Sequence, residues 1–138
     1  MLTTSDLIAW LATLGIQPGG TVDLPVFPGP WLPKMPDELA AVTPISGPGE
    51  TLQGAGDVAG FQLRIRGRQD ITGASPNGEA NALAADRLIL TAPLPALVGG
   101  VQLLPVTRSG GRPAPLPDPD GGDRLSFTCT YLTSFVYP

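Results

Sequence analysis

The ten residues FQLRIRGRQD (residues 61–70) alternate apolar and basic side chains, Phe61, Leu63 and Ile65 against Arg64, Arg66 and Arg68. Successive side chains on a strand point to opposite faces, so the segment reads as a strand with one hydrophobic row and one row of positive charge. The segment RLSFTCTYLTSFVY (residues 124–137) alternates in the same way. Leu125, Phe127, Cys129, Tyr131 and Phe135 fall on one face, and Ser126, Thr128, Thr130 and Ser134 on the other. It predicts a β-strand of about a dozen residues with one buried face.

Working outward, residues 4–14 place Leu7, Ile8, Leu11 and Leu14 at helical spacing. Thr4 or Ser5 stands at the cap, Asp6 in the first turn and Gly15 at the stop. Trp10 is expected in the core at the edge of this stripe. A short extended piece, 21–27, is broken by Pro25. Four prolines between Pro28 and Pro36 then force an extended loop around Trp31. Residues 39–45 predict a second strand, and 47–60 a glycine-rich loop. A helix capped by Ser75 or Asn77 runs to about Leu90, with Ala80, Leu83, Ala84, Leu88 and neighbouring alanines available for its buried side; Pro93 and Pro95 end it. Residues 101–106 predict a further strand, and 107–123 a turn-rich loop.

The order helix, strand, strand, strand, helix, strand, strand predicts an α+β fold. The chain of 138 residues is expected to form a single domain over 1–138. Its mixed or antiparallel sheet of about five strands carries two helices packed on one face, with long Pro/Gly-rich loops at about 28–36, 47–60 and 107–123.

Composition narrows the function. The formal charge is −4, which argues against a general nucleic-acid binder. Charged residues are 14% of the chain, against about 25% in an ordinary soluble domain, while hydrophobic residues are 42%. A surface so poor in charge points to burial in an oligomer or larger assembly. There is no histidine, which removes the commonest general base and metal ligand, and the single Cys129 reads as a small buried hydrophobe. The N-terminus has no basic region of a signal peptide, and no run approaches a membrane span, so a cytoplasmic, non-membrane protein is expected.

The glycine-rich 47–60 segment lacks the Gly-Lys-Ser/Thr of a phosphate loop and does not fit G-x-G-x-x-G after a strand. The alternate acids Asp118, Asp120 and Asp123 lack the downstream glutamate of a calcium loop and read as a solvated turn. No serine has a base beside it in sequence. No catalytic, metal or cofactor-binding residue is assigned, and no enzyme is expected.

Taken in order, several segments resemble the tail-terminator or "minor capsid" proteins of long-tailed bacteriophages. They are DLIAWLATLGI, VFPGPWLPKMPDELAAVTPISGPG, FQLRIRGRQD leading through ITGASPNGEANALAADRL, and DPDGGDRLSFTCTYLTSF. The resemblance covers nearly the whole chain; the long 107–123 loop departs from the pattern. It implies an α+β structural protein of the virion that forms a hexameric ring. Such a ring caps the head-proximal end of the tail tube, stops tube polymerisation and meets the head-completion proteins of the neck. DNA passes through its lumen without specific binding, and assembly takes place in the host cytoplasm. Another neck, head-completion or tube protein, or a monomeric ligand-binding α+β domain, are the alternatives.

The arginine row has three open roles: a solvent face, a contact with a neighbouring subunit, or a contact with phosphates. Adjacent arginines repel, so counter-charges are expected nearby; in a ring, a neighbouring subunit supplies them, with Asp57, Asp70, Asp86 and the 118–123 loop as candidates. The acidic balance favours protein over phosphate. The candidate interface residues are therefore Arg64, Arg66, Arg68, Trp31, Asp118, Asp120 and Asp123.

Overall fold

A computed structural model of the chain describes residues 3–29, 32–33, 36, 38–50, 57–67, 77–117 and 125–136. Helix α1 (Thr4–Thr13) is followed by strands β1 (Val26–Pro28), β2 (Leu39–Glu50) and β3 (Asp57–Arg66). Helix α2 (Asn77–Leu90) then leads to β4 (Ala96–Val98), β5 (Val101–Leu103), β6 (Thr107–Pro117) and β7 (Leu125–Val136). Strands β1, β2, β3, β7 and β6 lie side by side. The β4–β5 hairpin joins the far end of β7 through Gln102–Val136 and Leu103–Phe135. All pairings are antiparallel except β1 with β2, so the α+β class and the mixed sheet stand as expected.

Helix α1 starts one residue earlier than predicted. Thr3 is its cap: its hydroxyl accepts from the Asp6 N–H at 3.1 Å, and the Asp6 carboxylate accepts from the Thr3 N–H at 2.9 Å. This reciprocal pair satisfies two donors that an open helix end leaves free. Gly15, at φ 97°, ends the helix in the left-handed conformation its position requires.

Alternation does what the two strand sequences predict. Phe61 and Leu63 of β3 pair with Tyr131 and Cys129 of β7, Ile65 with Phe127, and on the other side Leu63 and Ile65 pair with Val42 and Ala40 of β2. All of these are buried and form one cluster with Leu7, Trp10 and Leu11 of α1 and with Ala82, Ala85 and Ile89 of α2. Both helices therefore lie on this face of the sheet. Trp10 meets Phe61 edge-on at 5.9 Å, and Phe61 stacks on Tyr131 at 5.1 Å, so one aromatic chain links α1 to the two central strands.

The buried side of α2 bears out the neighbouring alanines and departs from the expectation at Ala80 and Leu83. Leu83 is 39% exposed and Ala80 is exposed, while Ala82, Ala85, Asp86 and Ile89 face the sheet. Small alanines let the helix approach the sheet closely, and the leucines are left at the flanks.

Two loops of the sequence reading are strand instead. Residues 107–117, expected in a turn-rich loop, form β6 and pair with β7. Pro113, Pro115 and Pro117 recur with the strand's own period of two, so the missing N–H groups all lie along one side of an edge strand, where no ladder bond is lost. The segment 47–60 is partly the end of β2 and the start of β3, with a register shift between Ile45 and Gly49. Of the β4–β5 hairpin, β5 (Val101–Leu103) falls within the strand expected over 101–106, and only β4 was not predicted. Gly99 and Gly100, at φ 58° and 78°, make the hairpin's two-residue turn, where strand twist demands left-handed residues.

Candidate interaction surface

The two described arginines of the row have separate environments. Arg66 is wholly buried, and its Nη2 donates to the Pro36 carbonyl at 2.8 Å. Arg64 is half-buried, with Ala41 of β2 and Thr128 of β7 beside it. Hence the row lies on the sheet face opposite the helices, but its Arg66 end is enclosed by the chain itself. Arg68, Trp31, Asp118, Asp120, Asp123 and Asp70 lie outside the described residues, as does the Asp57 side chain.

This second face has a gradient of burial. Leu39, Arg66 and Ser126 are 0% exposed at one end. Thr43, Gln62, Arg64, Thr128 and Thr130 are half-buried in the middle, and Ile45, Leu132, Thr107 and Ser109 are exposed at the other end. Among the described residues no helix covers it, and Arg64 is the one charge on its open part.

Asp86 serves a different purpose from the counter-charge expected of it. It projects from α2 into the interior, 7% exposed, and its two oxygens are taken by two strands. Oδ2 accepts from Arg108 Nη1 of β6 at 2.6 Å, and Oδ1 accepts from Tyr131 Oη of β7 at 2.8 Å. One carboxylate thus fastens α2 to the edge strand and to the central strand. Burial, with the hydrogen bond to Asp86 second, pushes the Tyr131 hydroxyl far above its ordinary range, so at neutral pH it is a donor and not a base. Burial likewise pushes the Cys129 thiol up, which keeps it protonated and a poor nucleophile. The cluster is suited to holding three elements together, not to moving protons. Its signal in the sequence is an acid at position 86 inside the 82, 85, 86, 89 stripe of α2, visible only once the leucines are not assumed to be the buried residues.

A groove of about 400 Å³ runs between α1 and β4. Asp6, Ala9, Trp10, Thr13 and Leu14 of the α1 side and Leu97 and Gly99 of the β4 side are among its lining residues. Leu97 is 70% exposed, more than any other large hydrophobic residue described. The Thr3 N–H holds the Asp6 carboxyl below its usual range, so it is charged at neutral pH.

Among the described residues no three His, Cys, Asp or Glu side chains come together as a metal site, and no helix is long and apolar enough to cross a membrane. No protein-family model matches the chain, and no curated protein matches it in sequence. Eight chains of solved structures match. One of them aligns over 97% of this chain and 91% of its own length, with a TM-score of 0.50 and 19% identity. At that identity the likeness concerns the fold alone: the chain shares its whole-length architecture with a protein of known structure.

Proposed function

We propose that the chain is a structural, ring-forming protein of a long-tailed phage virion, a tail terminator that caps the head-proximal end of the tail tube and joins it to the neck. The ordered sequence resemblance motivates this reading, and one observation carries it: the sheet has both helices on one face and none, among the described residues, on the other. Four strands about 4.8 Å apart, each about ten residues of about 3.3 Å, with the short β1 beside them, give that face roughly 600–700 Å². Removing the end enclosed at Leu39, Arg66 and Ser126 leaves roughly 400–500 Å², a substantial part of the about 800 Å² per partner of a standard interface. Its open end presents Ile45 and Leu132 among threonine and glutamine, the composition of a contact surface with few charges to desolvate.

In this reading the subunits meet head to tail, because a heterologous contact that closes makes a ring. The lumen conducts DNA without holding it, as suits a chain of net charge −4. The chemistry of the described residues asks for no cofactor. The test is to polymerise tail-tube protein with and without this chain and to measure tube lengths by electron microscopy. Shorter tubes bearing an extra ring of density at one end are expected; unchanged lengths and bare ends would refute the assignment.

A further inference from the structure

The register of β6 on β7 jumps between Ser109–Thr130 and Ala114–Thr128, five steps on one strand against two on the other, so residues 110–113 bulge out of the edge. The base of this bulge is fixed. Pro113 is buried over Phe127, Cys129 and Tyr131, and the Gly111 carbonyl lies 4.0 Å from Cys129 Sγ. With its foot anchored, the bulge presents Gly110, Gly111 and Arg112 to solvent, and Arg112 makes no ion pair among the described residues. On different elements of the same molecule lies the α1–β4 groove, lined mostly by apolar residues, with one carboxylate, Asp6, among them. One oxygen of Asp6 accepts from Thr3, which leaves the other to accept from a ligand.

We infer that a second copy of this chain docks here, its β6 bulge seated in the α1–β4 groove with Arg112 against Asp6 and the glycines against Leu97. This rests on the ring-forming reading and specifies its contact. Three features favour this occupant. The bulge carries the charge the groove lacks. An arginine fork suits a carboxylate with one oxygen open. A preformed bulge also loses little freedom on docking. Because bulge and groove are different surfaces, each copy offers one of each, and the contact propagates head to tail.

The experiment is sedimentation velocity of the full chain over a wide concentration range. Two variants at exposed positions are measured beside it: Arg112→Asp, which reverses the charge of the bulge, and Ala9→Trp, which fills the groove. Far-UV circular dichroism and a cooperative urea transition check that both stay folded. The wild type is expected to associate. Each variant alone should associate at least about tenfold more weakly. An equimolar mixture should form a species of two chains and nothing larger, since the intact groove of one variant takes the intact bulge of the other. Variants that associate like the wild type overturn this contact and leave the ring reading standing. A mixture that stays monomeric, or grows beyond two chains, also overturns it. A wild type that is monomeric throughout overturns this contact, while the ring reading falls only if the chain also stays monomeric with tail-tube protein.

Discussion

Replacing Asp86 by alanine removes the acceptor of two hydrogen bonds that tie three elements together, and the structure fixes what each loss costs. Tyr131 is 1% exposed, so its hydroxyl is left buried without a partner, a penalty of about 1–3 kcal/mol. The Arg108 side chain is 28% exposed and regains water, so its part is smaller, about 0.5–1 kcal/mol. Together, Asp86→Ala is expected to lower unfolding stability by roughly 2–4 kcal/mol. Tyr131→Phe keeps the ring stacked on Phe61 and removes only the donor, at about 1.5–2 kcal/mol, because the bond is to a charged group. The double variant is the decisive one. With both partners gone nothing polar is stranded, so it should be no less stable than Asp86→Ala alone to within about 0.5 kcal/mol, giving a coupling energy of about 1–2 kcal/mol. Urea unfolding at pH 7 followed by tryptophan fluorescence reads all three. Strictly additive losses, or an Asp86→Ala variant within about 0.5 kcal/mol of the wild type, would refute the picture of a buried carboxylate holding α2 to β6 and β7.

Alkali tests the same cluster. The Tyr131 hydroxyl ionises near 10 when unfolded and far higher when folded, so the unfolded state loses a proton that the native state keeps. Stability is therefore fully present below about pH 10 and falls as pH rises above it; the Cys129 thiol adds the same trend from about pH 9. Tyrosinate absorbance at 295 nm followed with unfolding should show Tyr131 ionising only with the cooperative transition, and a full titration in the native state would contradict this. A Cβ at Gly60 would meet the Tyr131 carbonyl oxygen at 2.3 Å in the central β3–β7 pair. Gly60→Ala should therefore destabilise by about 2 kcal/mol or more, seen as a lower urea midpoint, because backbone has to move. Finally, Ile45→Lys with Leu132→Lys, both at exposed positions, should leave stability within about 1 kcal/mol of the wild type while abolishing the capping of tail tubes. Normal capping by a folded double variant would remove the open sheet face from the account.

The sequence made the fold legible where period and burial coincide. In β3 and β7 the residues Phe61, Leu63, Ile65, Phe127, Cys129 and Tyr131 alternate with polar ones and all are buried, so this part of the core face was readable residue by residue. In α1 the leucine spacing, Asp6 in the first turn and Gly15 point to the helix, while its cap lies at Thr3, one residue before the positions expected. Helix α2 misled in its leucines: its sheet-facing stripe is built from Ala82, Ala85, Asp86 and Ile89, and Leu83 and Leu90 stand outside. Strand β6 was hidden by its prolines, which signal turns in isolation and become compatible with strand only at a sheet edge, a fact about the neighbours and not about the segment. In the β4–β5 hairpin, β5 was legible within the 101–106 run, but β4, three residues long, carries too little pattern to be seen. Of the proposed surface, the arginine row was legible as a row. That Arg66 is enclosed against Pro36 depends on a segment thirty residues away, which no local pattern encodes.

The central claim is that this domain acts by assembling into a ring, and its mass in solution tests that most directly. Light scattering of the purified chain, alone at two concentrations and then with tail-tube protein, should give a particle of several subunits, six for a hexameric ring, in at least the second condition. A mass that stays at the 14.2 kDa of one chain in every condition, with tube growth unaffected, would contradict the account.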